Sequence, residues 1–131
     1  LEKQEHLMYR YNGLYGQRTG TWSMVGSTAR SMADRMDYER HVDEINELSW
    51  SIYEKCSDKS VINDALYAMG KICQSSKAGW MMVDTHAALL YKAGRYTEAR
   101  TEAERAIKGG KASGADVKET EALLVKIKAA K

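Results

Sequence analysis

The side chains of this chain that could do chemistry are few: two cysteines, Cys56 and Cys73, and three histidines, His6, His41 and His86. A redox thiol pair needs Cys-x-x-Cys spacing, and these two cysteines are too far apart for that and too few for a disulfide framework. If Cys56 sits at the turn of a helical hairpin and Cys73 far along its second helix, the rise per residue separates them by about 20 Å, against a bridging limit of roughly 7 Å between Cα atoms. They read as unpaired, largely structural thiols. The histidines lie far apart along the chain with no cysteine or carboxylate at ligand spacing beside them, so no metal centre is expected. His86 falls at the margin of an apolar stripe and reads as a packed, hydrogen-bonded histidine. Nucleophilic catalysis would need a thiol or hydroxyl beside an oriented base, and no such arrangement is visible. The sequence therefore assigns no catalytic residue and no cofactor. The run Gly13-Leu14-Tyr15-Gly16-Gln17-Arg18-Thr19-Gly20 has the glycines of a phosphate cradle but lacks the Gly-Lys-Ser/Thr ending and a preceding strand, and reads as a loop between helices.

With chemistry of that kind set aside, composition bounds what remains. A chain of 131 residues with 44% hydrophobic and 29% charged residues can build one folded domain and is not of the disordered type. No apolar run reaches the roughly 18 residues of a membrane helix, so no membrane insertion is expected. The net charge of +2 comes from acids and bases that are well mixed along the chain, which argues against a nucleic-acid surface. There is no proline, and with it the commonest interruption of helices is missing. The sequence opens on Leu1 rather than methionine, and is expected to be a piece or a processed form of a longer protein.

Helical periodicity runs almost throughout and strand alternation almost nowhere. Leu7, Met8, Tyr11, Leu14 and Tyr15 form a first short stripe, weakened by Asn12 and Gly13 and closed by Gly16 to Gly20. Trp22, Val25, Ala29, Met32 and Met36 predict a second helix ending near Asp37. Val42, Ile45, Leu48, Ser49, Ile52 and Tyr53 predict a third over residues 38–55. Ser57-Asp58 is an N-cap pair for a fourth, with Val61, Ile62, Ala65, Leu66, Met69, Ile72 and Cys73 inward. After a loop over residues 74–79, a fifth helix runs from Trp80 to Ala93 and stops at Gly94. A sixth carries Ala99, Ala103, Ala106 and Ile107 inward and is expected to fray at Gly109-Gly110. Asp116 and Glu119 have capping-box spacing before a last helix bearing Val117, Thr120, Leu123, Leu124 and Ile127, with Lys118, Glu121, Lys126 and Lys128 turned to water.

Ala65 and Ala99 are 34 residues apart, the period of tetratricopeptide arrays. The preceding helices match at an offset of 38, Ser49 with Ala87 and Tyr53 with Tyr91, which predicts a turn four residues longer in the first hairpin. Small residues at Ser49, Ala65, Ala87, Ala99 and Ala103 would let helix axes approach near the close end of the roughly 8–10 Å range. Gly94 would supply the left-handed residue that reverses the chain, with Tyr96 packing back over the corner. The expected fold is all-α: an N-terminal helical segment over residues 1–40, two tetratricopeptide-like helical hairpins of an α-α superhelix over 41–115, and a C-terminal capping helix over 116–131.

Gly94-x-Tyr96-x-Glu98-Ala99 with Ala103 and Ala106 resembles the turn and second helix of a tetratricopeptide repeat, although the usual proline is missing and Ala103 stands where a bulky aromatic is common. Leu48-Ser49-Trp50-x-x-Tyr53-Glu54, then Asp84-Thr85-x-Ala87-x-Leu89-Leu90-Tyr91-Lys92, then Glu119-Thr120-Glu121, are similar to the C-terminal helical region of bacterial envelope thioredoxin-family proteins, over roughly residues 41 to 131. That resemblance implies a periplasmic or cell-envelope location and a helper module following a thioredoxin-like domain. The redox chemistry of that family falls on no residue of this chain.

In arrays of this type the first helix of each hairpin lines a concave surface. By repeat position Asp43, Asn46, Trp50, Tyr53 and Glu54 from one hairpin, and Met81, Asp84, Ala88, Tyr91 and Lys92 from the other, would face it. Asp43, Asn46, Trp50, Tyr53, Asp84, Tyr91 and Lys92 are the candidate partner-binding residues, since tryptophan and tyrosine combine apolar area with a hydrogen-bonding edge. The competing reading is that these aromatics pack against the N-terminal helices and fill the groove. The expected function is a non-catalytic interaction or scaffolding module for a protein or peptide, the parent's own thioredoxin-like domain among them. The alternatives are a structural or homodimerisation domain, or part of a thiol-disulfide oxidoreductase.

Overall fold

A computed structural model describes residues 2–35 and 37–130, so the expected inward place of Met36 lies outside the described residues. The described residues form helices α1 (Glu2–Thr19), α2 (Trp22–Arg35), α3 (Val42–Lys55), α4 (Lys59–Cys73), α5 (Trp80–Lys92), α6 (Tyr96–Ala112) and α7 (Lys118–Ala129), with a 3-10 turn at Tyr38–Arg40 before α3. No strand occurs among them. The fold is all-α. The hairpins α3–α4 and α5–α6 pack on one another, α7 closes against α5 and α6, and α1 and α2 pack against one another and onto α3, with α2 also against α4. The N-terminal segment is thus itself a hairpin laid on the array.

Three helices end on the same device. Gly20, Gly94 and Gly114 have φ of 73°, 79° and 77°, the left-handed region that glycine enters without a Cβ clash. In each case the following N–H reaches back to a carbonyl five residues earlier: Thr21 to Gly16, Arg95 to Leu90 and Ala115 to Gly110, all at 2.9 Å. This is the Schellman closure. Tyr96 packs back on Tyr91, with ring centroids 5.9 Å apart. The N-terminus of α4 is capped by Asp58, whose carboxylate accepts from the Ser60 N–H at 2.9 Å. At α7 the expected capping box is not what starts the helix: the N-cap is Val117, which has no side-chain cap, Asp116 accepts from the Lys118 N–H only two residues on, and Glu119 lines a groove.

The crossings carry the small residues expected of them. Ser49, Ala65, Ala87, Ala99 and Ala103 are each fully buried. Ile45, Ile52, Met69, Leu89 and Leu90 are buried in the same core cluster as Ala65, Ala87, Ala99 and Ala103.

Three further expectations are corrected. The α1 stripe faces the other way: Leu7, Met8, Tyr11, Leu14 and Tyr15 are all exposed, between 44% and 67%, and the buried side is Tyr9, Gly13 and Gly16. The glycines do not break α1. They let its backbone touch its neighbours, since a Cβ on Gly13 would lie 2.9 Å from Leu48 Cδ2, and one on Gly16 2.7 Å from Val25 Cγ2. Likewise α6 does not fray at Gly109-Gly110. It continues to Ala112, and Gly110 is buried because Val117 Cγ1 and Trp80 occupy the space of its missing side chain. Finally, the four residues that set the first hairpin apart lengthen its helices rather than its turn. Residues 56–58 and 93–95 are turns of equal length, and the Asp58 cap starts α4 one helical turn further ahead of Ala65.

Helix propensity alone would make any glycine-to-alanine change inside a helix stabilising by up to about 1 kcal/mol. The close approaches reverse that sign only where a Cβ has no room. Gly70→Ala, whose Cβ would meet only His86 Nε2 at 3.6 Å, is expected to stabilise by roughly 0.5–1 kcal/mol. Gly16→Ala, also hemmed in by the Thr21 carbonyl at 3.1 Å, should destabilise by about 1–2 kcal/mol. Urea denaturation of both variants checks the pair, and effects of one sign would contradict the packing described.

Candidate functional site: a groove between α3, α5 and α7

The helical spacing of Asp43, Asn46, Glu47 and Trp50 puts these side chains on one face of α3, and Trp80, Met81, Asp84 and Thr85 do the same from α5. Together with Asp116, Lys118, Glu119 and Thr120 they line an open groove of about 730 Å³, within the range of ligand-binding clefts. A smaller depression of about 240 Å³ continues it past Trp50 and Asp84 to Tyr53, Ala88, Leu123 and Lys126. At the turn end Tyr53, Glu54, Tyr91 and Lys92 border a further shallow recess. All seven candidate residues therefore lie along one face, in three adjoining depressions.

They do not all remain available to a partner. Lys92 Nζ donates to the Tyr53 carbonyl at 2.5 Å and lies 5.6 Å from the centre of the Tyr53 ring, so it ties the end of α5 to the end of α3. Asp84 accepts a 2.9 Å hydrogen bond from Thr120 Oγ1, which fastens α7 across α5. Trp50 and Tyr53 stack obliquely, with centroids 5.0 Å apart, and both remain partly exposed. The N-terminal helices do not fill the main groove; its third wall is α7. That wall is not legible in the sequence, where Asp116 and Glu119 have the spacing of capping residues. Trp80 is hidden in the same way, as a helix-start residue. Its position follows from Gly110, against which it packs.

Charge is uneven in the groove. Asp43, Glu47, Asp84, Asp116 and Glu119 face one lysine, Lys118, on a chain whose net charge is +2. Burial pushes the Asp84 carboxyl up, opposed by the Thr120 hydrogen bond and reinforced by Glu119. Burial likewise raises the Tyr53 hydroxyl, with Tyr91, Asp84 and Glu54 adding to it. Asn46 Oδ1 is buried without a hydrogen-bond partner, an acceptor left unpaired at the groove wall.

Two side-chain clusters correct the expectation that the histidines stand apart from possible ligands. His6, His41 and Glu44 converge, as do Cys73, His86 and Glu102, with ligand atoms in each set within 4.8 Å of one another. In the second set His86 Nδ1 pairs with Glu102 Oε2 at 2.8 Å, the packed, hydrogen-bonded histidine anticipated. Arg105 holds Glu102 from the other side at 3.3 Å and donates to the Cys73 and Ser75 carbonyls. Burial acts to raise the Glu102 carboxyl, but His86 and Arg105 together hold it below its ordinary value. Burial, helped by Glu102, pushes the Cys73 thiol up to about 12, so it stays protonated at neutral pH and is a poor nucleophile. Both cysteines are buried and free.

Comparison with known proteins returns no match among protein-family models, curated proteins or solved structures.

The groove has a pH signature. A carboxyl whose folded-state pKa lies above its unfolded value binds its proton more readily when folded. Stability is therefore lost as pH rises from the ordinary carboxylate range through the folded value, and the deficit persists at pH 7. Asp84→Asn keeps an acceptor for Thr120 and removes the desolvated charge. The variant is expected to melt a few degrees above the parent at pH 7, with the gap closing as pH falls below the ordinary carboxylate range. A lower Tm at pH 7, or a gap independent of pH, would contradict this picture of the site.

Proposed function

We propose that the chain is a non-catalytic interaction module whose groove between α3, α5 and α7 receives an extended, basic segment of a partner protein, anchored by an apolar side chain on Trp50. The groove carries this reading: it combines two tryptophans and Met81 with five carboxylates against one lysine. Aromatic anchors in a cleft supply most of the binding energy at such surfaces, and complementary charge steers the encounter and selects the partner. The resemblance of the Leu48–Glu54 and Asp84–Lys92 stretches supports a place at the tail of a thioredoxin-like envelope protein, whose own first domain is one partner to consider. No helix among the described residues is long and apolar enough to cross a membrane.

A second reading, self-association of the chain or its parent, is favoured by one observation. Leu7, Met8, Tyr11, Leu14 and Tyr15 form a continuous exposed apolar stripe on α1, the kind of surface that marks a contact site.

Fluorescence anisotropy with two labelled peptides, one alternating arginine with leucine and one alternating glutamate with leucine, separates these readings when run beside light scattering. The arginine peptide is expected to bind, to weaken as salt is raised, and to lose about tenfold or more in affinity with Trp50→Ala. Equal binding of the two peptides, or no effect of Trp50→Ala, defeats the groove reading. A concentration-dependent dimer abolished by Tyr11→Glu supports the second.

A further inference from the structure

We propose that His6, His41 and Glu44 form a site for a first-row divalent transition-metal ion of the zinc type, which clips α1 onto the start of α3. His6 comes from the first turns of α1, His41 precedes α3, and Glu44 lies in its first turn. Both imidazoles face one carboxylate oxygen: His6 Nε2 is 2.6 Å and His41 Nδ1 3.4 Å from Glu44 Oε1, and the rings lie 4.4 Å apart between centroids. Metal–nitrogen and metal–oxygen bonds of about 2.0–2.2 Å at tetrahedral angles place ligand atoms about 3.4 Å apart. The His41–Glu44 pair already has that separation. The His6–Glu44 pair, now a direct hydrogen bond, needs only to open by less than about 1 Å.

The remaining features of the cluster point the same way. Two imidazole nitrogens and one carboxylate are a borderline set that suits zinc rather than magnesium or calcium, and three protein ligands leave a position for water or a partner's side chain. The far nitrogen of His41, Nε2, lies 3.5 Å from Glu2 Oε1. That is the place of the carboxylate that commonly orients a metal-bound histidine through its other N–H. Every ion pair of His6 and His41 among the described residues is with a carboxylate. At Cys73, His86 and Glu102, by contrast, the Arg105 guanidinium already sits on the carboxylate, where it would oppose a second cation. The His6, His41 and Glu44 side chains are 24%, 15% and 36% exposed, so an ion can reach them without unfolding the chain.

Cobalt(II) and zinc(II) titrations of the whole chain test the site, with visible absorption for the first and calorimetry and thermal melting for the second. One equivalent of cobalt is expected to give visible d–d bands without a sulfur-to-metal charge-transfer band, and one equivalent of zinc to raise the Tm. His6→Gln and His41→Gln, with folding confirmed by circular dichroism, should each weaken binding at least tenfold. Glu2→Gln should weaken it by about tenfold, and Cys73→Ser should leave it unchanged. Should either histidine variant lose its fold, the Glu2→Gln and Cys73→Ser results still decide. A thiolate charge-transfer band lost in Cys73→Ser would place the metal at the other cluster and overturn the proposal. So would stoichiometric binding that survives in His6→Gln and His41→Gln, or the absence of stoichiometric binding by the unaltered chain.

Discussion

Helix axes in this protein nest closely because side chains are missing or minimal where they cross, and the rest of the architecture depends on that. At Gly26 in α2 even a methyl group would come within 3.0 Å of Asp64 and 3.1 Å of Val61 on α4. Beside that contact runs a polar seam in which Arg30 lies over the Tyr67 ring and Tyr67 and Lys71 both reach Asp34. Close crossings of this kind raise packing density and dispersion contact per residue. A chain without phenylalanine can thereby build a core largely from aliphatic residues, methionine and alanine.

The same constraint builds the groove. Gly110 makes room for Val117 and Trp80 at once. Val117 immediately precedes α7 as its N-cap and Trp80 begins α5, so one absent side chain sets the spacing of two of the three walls. The Asp84–Thr120 hydrogen bond then fixes the register between them, and Lys92 ties α3 to α5 at their far end through the Tyr53 carbonyl. Four of the five acids of the groove, Asp43, Glu47, Asp84 and Glu119, are carried on helices; Asp116 alone sits in the turn before α7. That is the arrangement in which a binding surface keeps its geometry before a partner arrives.

How much of this the sequence disclosed follows from which forces act locally. The helices of the array were legible because the 3.6-residue period of apolar and small residues is uninterrupted by proline, and because Asp58 and Gly94 act on their own neighbours. The α3 and α5 sides of the groove followed from the same period. The buried side of α1 was not legible: hydrophobicity points inward to Leu7, Tyr11 and Leu14, whereas burial there comes from bare backbone at Gly13 and Gly16, which resemble loop residues in sequence. The same ambiguity hid Gly110, and with it α7 as a wall. The meeting of His6 with Glu44, 38 residues apart, depends on how α1 is laid over α3, information carried by those same glycines and by no local motif.

A double-mutant cycle on Gly110→Ala and Val117→Ala, read by urea denaturation, tests the dependence on these bare crossings most directly. If α6 and α7 are nested through the missing side chain, Gly110→Ala should be costly in the parent and much less so once Val117 is shortened, with a coupling of at least about 1 kcal/mol. Additivity within about 0.5 kcal/mol would contradict it.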